Sequence, residues 1–78
     1  MPYVNVRITR DGATKAQKAE VIRRITETLV DVLHKDPATT FVLIDEVDTD
    51  DWGIAGITTT RYRAMRRKAA GSKRAPKR

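Results

Sequence analysis

Pro2 has the most chemistry to offer. Methionine is usually excised when a small residue follows it, so the mature chain is expected to begin with Pro2, a secondary amine. An amine acts as a base only when unprotonated. An apolar surround and nearby cations lower its pKa toward neutrality, where general-base catalysis is most effective. Trp52, the single tryptophan, and the arginines could supply both conditions. Such a base must also be held still, because chain termini fray unless they are tied down. Pro2 leads straight into a run that can do this.

That run, Tyr3 to Thr9, alternates: Val4, Val6 and Ile8 point one way, and Tyr3, Asn5, Arg7 and Thr9 the other, the period of a half-buried strand. Arg10-Asp11-Gly12-Ala13 reads as a turn, and Thr14 with Gln17 three residues on forms a capping box opening a helix. From Ala16 to about Leu33 the apolar residues Ile22, Ile25, Leu29, Val32 and Leu33 recur at spacings of three and four and make one stripe. Asp36-Pro37 stops that helix, since the residue before a proline is pushed out of the α region. Phe41 to Val47 reads as a second strand. Beyond an acidic loop, Asp48 to Asp51, the glycines of Trp52-Gly-Ile-Ala-Gly56 suit a tight turn. The β-branched run Ile57 to Thr60 completes what reads as a small hairpin.

Strand, helix and strand predict an α/β fold in which a β-α-β crossover sets two strands parallel. One helix covers one face of a two-stranded parallel sheet, yet such sheets are normally buried on both faces and leave no long free edge. A 78-residue chain buries only about 60% of its unfolded surface. With no cysteine and no Cys/His cluster, neither disulfides nor structural zinc can reinforce it. The expectation is a homo-oligomer, a dimer, trimer or hexamer, whose protomers pair sheet edges and faces.

The net charge of +6 is unevenly placed. Residues 61–78 hold nine Lys/Arg and no Asp/Glu, whereas residues 1–60 hold seven Lys/Arg against ten Asp/Glu, a net −3. The sequence therefore divides into a mildly acidic folded domain, residues 1–63, and a basic C-terminal tail, residues 64–78. The tail begins helix-compatible and is expected to be disordered after about Ala70. A scaffold whose basic tail binds nucleic acid or an acidic partner is the alternative function this charge suggests. The body, however, has no recognition helix and no basic face with exposed aromatics. The longest strictly apolar run is Phe41 to Ile44, so no signal peptide, membrane span or membrane partner is implied, and a cytoplasmic location is expected.

Other chemistry is poorly represented. His34 has no second His or Cys to share a metal with, and it lies near a helix C-terminus, where an imidazolium suits the dipole. Asp48, Asp50 and Asp51 lack the rest of a twelve-residue calcium loop. Gly53 and Gly56 make no phosphate-binding GxGxxG. No metal and no cofactor is expected.

Residues 2–63 together resemble the 4-oxalocrotonate tautomerase family of N-terminal proline enzymes. The matching features are Met-Pro-Tyr-Val-Asn-Val at the start, Asp11-Gly12 with Gln17-Lys18 opening the helix, Val42-Leu-Ile-Asp-Glu-Val47, and Trp52-Gly-Ile-Ala-Gly56. The resemblance implies an oligomeric β-α-β unit followed by a hairpin. It also implies an isomerase in which Pro2 takes a proton from a carbon or hydroxyl beside a carbonyl and returns it elsewhere on a small 2-oxo acid or its enol. Trp52 falls where the family has an aromatic pocket wall. Members acting on dicarboxylic dienols carry arginines at the positions occupied here by Ala13 and Phe41. A substrate carboxylate, best met by the bidentate fork of an arginine, would have to find Arg10, on a first loop one residue longer, or else Arg7 or Arg61.

Overall fold

The computed structural model describes residues 1–73, which divide into two units, residues 1–46 and the segment from Val47 onward.

The first unit is the β-α-β crossover. Strand β1, Tyr3–Thr9, and strand β2, Phe41–Val47, pair parallel in a two-stranded sheet, with helix α1, Lys15–Leu33, between them in sequence. Alternation in β1 appears as expected: Val4, Val6 and Ile8 are half-buried while Tyr3, Asn5 and Arg7 are exposed. In β2, Val42, Ile44 and Glu46 share the first parity, and Phe41, Leu43 and Asp45 the second. Lys18 of α1 bonds Glu46 at 2.7 Å, so the helix is tied to the side of the sheet that bears the half-buried valines.

Local chemistry sets the ends of α1. Thr14 accepts from the Gln17 N–H at 3.0 Å and donates its own N–H to the Gln17 side chain at 2.9 Å, the reciprocal capping box. The stop lies two residues before Asp36. His34 adopts a left-handed conformation, φ 57°, and its N–H bonds back to the Leu29 carbonyl. Asp36 instead caps a short 3₁₀ turn, Pro37–Thr39, by accepting from the Ala38 N–H at 2.9 Å. On the exposed side of α1, Glu20 binds Arg23 and Arg24, which hold its carboxyl down at about 2.

In the second unit, Asp48 caps a 3₁₀ turn, Thr49–Asp51, which leads into β3, Gly53–Ile54, and β4, Ile57–Thr58. These pair antiparallel with Ile54 opposite Ile57, leaving the two-residue loop Ala55-Gly56, both at positive φ, 55° and 84°. That is the geometry of a type I′ hairpin turn, whose twist matches the flanking strands. The β-branched run expected to continue as strand through Thr60 does not. Thr58 turns its hydroxyl to accept from the Arg61 N–H at 3.1 Å, and helix α2, Thr59–Lys73, begins. A threonine at the N-cap whose hydroxyl accepts from the N–H three residues on satisfies a donor that the first helical turn would otherwise leave unpaired. The backbone is helical through Lys73, across the expected boundary at residues 63 and 64. What remains of the disorder expected after Ala70, residues 74–78, lies outside the described residues.

Among the described residues no apolar side chain is fully buried, and Thr59 is the one buried residue. Tyr3, Phe41 and Leu43 are 62%, 50% and 50% exposed, and Val32 and Leu33 at the end of α1 are exposed too. The apolar stripe of α1 is thus half covered at Ile25 and Leu29 and open at its C-terminal end. No helix among the described residues is long and apolar enough to cross a membrane.

Candidate active site

Pro2 is half-buried at the head of β1, and its carbonyl accepts a hydrogen bond from the Phe41 N–H at 3.0 Å. The first ladder bond of the sheet therefore closes on the residue whose nitrogen carries the proposed chemistry. Because φ in a proline ring is fixed near −65°, anchoring its carbonyl leaves the nitrogen little freedom. Phe41 is brought beside Pro2 by this backbone bond, with its ring on the open, odd-numbered face of the sheet.

That open face also carries a polar set that the sequence reading did not single out. Asp45 Oδ2 accepts from Asn5 Nδ2 at 2.9 Å and from Arg7 Nη2 at 3.3 Å. The Asn5 amide, and then the Arg7 guanidinium, hold the Asp45 carboxyl below its ordinary value. Arg7 was expected as a substrate cation, and here it is paired. The signal available in the sequence was an acid interrupting the apolar alternation of β2, opposite in charge to the basic member of β1's polar face.

Arg10 also has a partner. Its Nη2 donates to the Glu46 carbonyl at 3.1 Å, and its Nε stands 3.7 Å from Glu46 Oε1. Glu46 takes a second, shorter contact from Lys18. The Lys18 ammonium first, and Arg10 to a lesser degree, lower the Glu46 carboxyl. One carboxylate thus fastens the first loop and the first turn of α1 to the end of β2.

Trp52 and Arg61 belong to the second unit. The Trp52 carbonyl accepts from both the N–H and the hydroxyl of Thr59, at 2.8 and 2.7 Å, which locks the approach to the hairpin against the start of α2. Arg61 lines a shallow cleft of about 610 Å³ with Asp50, Asp51, Ile57, Thr58 and the hairpin glycines. Among the described residues its guanidinium has neither an ion pair nor a hydrogen bond, unlike those of Arg7 and Arg10. Asp50 in the same cleft is occupied by the Thr60 hydroxyl.

Within each unit, then, the structure places Pro2 beside Phe41, pairs Arg7 with Asp45 and Arg10 with Glu46, and sets Arg61 at an open cleft. With Met1 in place the Pro2 nitrogen is an amide; what the structure shows is a proline held by its carbonyl at the head of β1.

Comparison with known proteins bears on which reaction this chain carries out. A family model described as tautomerase enzyme matches residues 2–60. The chain is 57% identical over 63 residues to a probable tautomerase of Dickeya dadantii, covering 81% of this chain and 94% of that protein. It is 36% identical over 58 residues to the 2-hydroxymuconate tautomerase of Pseudomonas putida, covering 74% and 90%. Among solved structures, DmpI from Helicobacter pylori superposes with a TM-score of 0.75 at 32% identity, covering 81% of this chain and 97% of that one. A matching β-α-β unit and hairpin, together with a family match over most of the chain, make it a member of the tautomerase family, of the 4-oxalocrotonate tautomerase type, and an enzyme of the isomerase class.

Proposed function

We propose that this enzyme interconverts the enol and keto forms of a small 2-oxo acid, with Pro2 as the group that moves the proton. Once Met1 is removed, the neutral imino nitrogen accepts the enol hydroxyl proton, leaving an enolate. The resulting pyrrolidinium returns a proton to the adjacent carbon, giving the ketone and restoring the neutral base. Developing negative charge on the enolate oxygen needs a positive neighbour, and stabilising such charge is commonly the largest catalytic contribution.

Three arginines are candidates to meet the oxygen and the substrate carboxylate. Arg7 and Arg10 already serve Asp45 and Glu46, whereas Arg61 is unpaired among the described residues, which favours Arg61 for the carboxylate. Trp52 would act as the apolar wall that excludes water and keeps the imino pKa low. Phe41, beside Pro2, would add to it. Neither takes an ionic role, so a monocarboxylate suits the site better than the dicarboxylic dienol for which the family carries arginine at the position of Phe41. The exposed Tyr3, Phe41 and Leu43 support a homo-oligomer whose protomers complete the pocket.

The carrying observation is the 3.0 Å bond from the Phe41 N–H to the Pro2 carbonyl, which ties Pro2 to the head of the sheet and supports the reading of its nitrogen as a positioned base. Ketonisation of an aryl enolpyruvate, followed by ultraviolet absorbance with mass-verified protein beginning at Pro2, tests the assignment. Pro2→Ala should lower kcat/KM by about 100-fold or more, the usual worth of a positioned acid–base group. Protein retaining Met1, whose Pro2 nitrogen is an amide, should show only the background rate. Equal rates for wild type and Pro2→Ala would refute the role of Pro2.

A further inference from the structure

The cleft of the second unit holds charges of both signs that do not meet. Arg61, Asp50 and Asp51 all line its volume of about 610 Å³, with Ile57, Thr58 and the hairpin glycines. Asp50 is engaged, since its Oδ1 accepts from the Thr60 hydroxyl. Among the described residues, the Asp51 carboxylate and the Arg61 guanidinium have neither an ion pair nor a hydrogen bond, to each other or to a third group. Both nevertheless stand on anchored backbone. The Asp51 N–H bonds the Asp48 carbonyl at 2.8 Å, closing the 3₁₀ turn, and the Arg61 N–H bonds the Thr58 hydroxyl at 3.1 Å, opening α2.

Charge narrows what such a cleft would take. Its lining sets one cation against two carboxylates. A simple anion drawn to Arg61 would meet Asp50 and Asp51 in the same cleft, and like charges brought together are disfavoured. A simple cation would meet the guanidinium, which stays protonated. A molecule with one carboxylate and one ammonium answers both groups. Its carboxylate takes the bidentate fork of Arg61, its ammonium donates to Asp51, and Ile57 offers apolar surface to the carbon chain between them. The N-terminal end of α2, where Thr58 and Arg61 stand, favours the carboxylate further through the helix dipole.

We propose that the substrate is a zwitterion, a small 2-oxo acid that also bears a primary ammonium group, with its carboxylate on Arg61 and its ammonium on Asp51. This rests on the reading that Arg61 meets the substrate carboxylate. The ammonium takes no part in the enol–keto exchange, and no bond to it forms or breaks. Asp51 is therefore a specificity-determining residue.

Isothermal titration of the full chain with meta- and para-(aminomethyl)phenylacetate, against the ethyl analogues that lack the ammonium, tests the ligand class without turnover. At least one zwitterion should bind wild type about tenfold more tightly than its ethyl analogue, near the lower end of what a hydrogen bond between charged groups contributes. Asp51→Asn should erase that preference, and Arg61→Gln should weaken all four ligands. In ketonisation of the matching aryl enolpyruvates, the aminomethyl compound should lead in kcat/KM by the same ratio, and Asp51→Asn should remove the lead. Equal affinities for zwitterion and ethyl analogue in wild type, a preference that survives Asp51→Asn, affinities unchanged in Arg61→Gln, or equal kcat/KM for the two enolpyruvates would each overturn the proposal. Pro2→Ala keeps the two readings apart: unchanged ketonisation in that variant would remove Pro2 from the reaction, while the titrations still decide the ligand class.

Discussion

Two of the described residues hold backbone conformations that their side chains resist. Ala55 sits at φ 55° in the hairpin loop, and His34 at φ 57° behind α1. For an L-residue with a Cβ the left-handed region costs on the order of 1–2 kcal/mol, and glycine, or asparagine in part, escapes this. Ala55 precedes Gly56, so the loop already has half of the Asn-Gly pair that type I′ turns favour. Ala55→Asn should therefore raise stability by about 0.5–1 kcal/mol, read as a higher urea midpoint at unchanged slope. His34→Gly should act in the same direction, since glycine is the usual residue just past a helix end. The positive φ at these positions follows from the two-residue loop and the helix stop, and neither is visible in residue type. The same holds for Thr59, which no propensity marks as special. It becomes buried because its N–H and hydroxyl both answer one carbonyl, that of Trp52.

Among the elements, Glu46 does the most to join sequence neighbours into one unit. It lies at the end of β2 and holds Lys18 of α1 at 2.7 Å and, more loosely, Arg10 of the preceding loop. Its carboxyl is lowered in the folded chain, chiefly by the Lys18 ammonium, so the folded state prefers the ionised form. A depressed carboxyl contributes stability that is fully present above the unfolded value, near 4.5, and is lost as pH falls through the lower folded value. Unfolding followed from pH 7 down to pH 3 should show stability declining across this window. In Glu46→Gln the decline should be shallower, because the variant has no carboxylate to protonate there. A parallel loss in both proteins would mean that other carboxylates dominate, with Glu20, held at about 2 by Arg23 and Arg24, titrating lower still.

The whole molecule is set by what the single chain leaves uncovered. No apolar side chain among the described residues is fully buried, and the open face of the sheet shows Tyr3, Phe41 and Leu43 around the Asn5–Asp45–Arg7 set. Burial at about 25 cal/mol per Å² is the dominant favourable term in folding, so a chain with so thin an interior is expected to be stable only with its open face covered. Sedimentation at micromolar concentration should give a mass of at least two chains. Leu43→Asp, which puts an unpaired charge on that face, should dissociate the assembly and lower thermal stability together. A stable, well-folded monomer of the wild type would contradict this account of its core.

The strand and helix periods, the Thr14–Gln17 capping box and the lone helix set against two strands were legible in the sequence because each depends on neighbours within about four residues or on a strict alternation. Pro2 was legible as a candidate for the same reason, standing next to the first strand residue. Arg7 and Arg10 were legible as cations, but their partners were not: Asp45 and Glu46 lie 38 and 36 residues away, and only the parallel pairing of β1 with β2 brings them into reach. Likewise the threonines after β4 carry strand propensity, and a hydroxyl aimed at the Arg61 N–H made them a helix start instead. Sequence determined which residues alternate, cap and carry charge. The tertiary structure decided which charges are already spent on one another, because ion pairing depends on distance through space, and that distance is fixed by strand pairing.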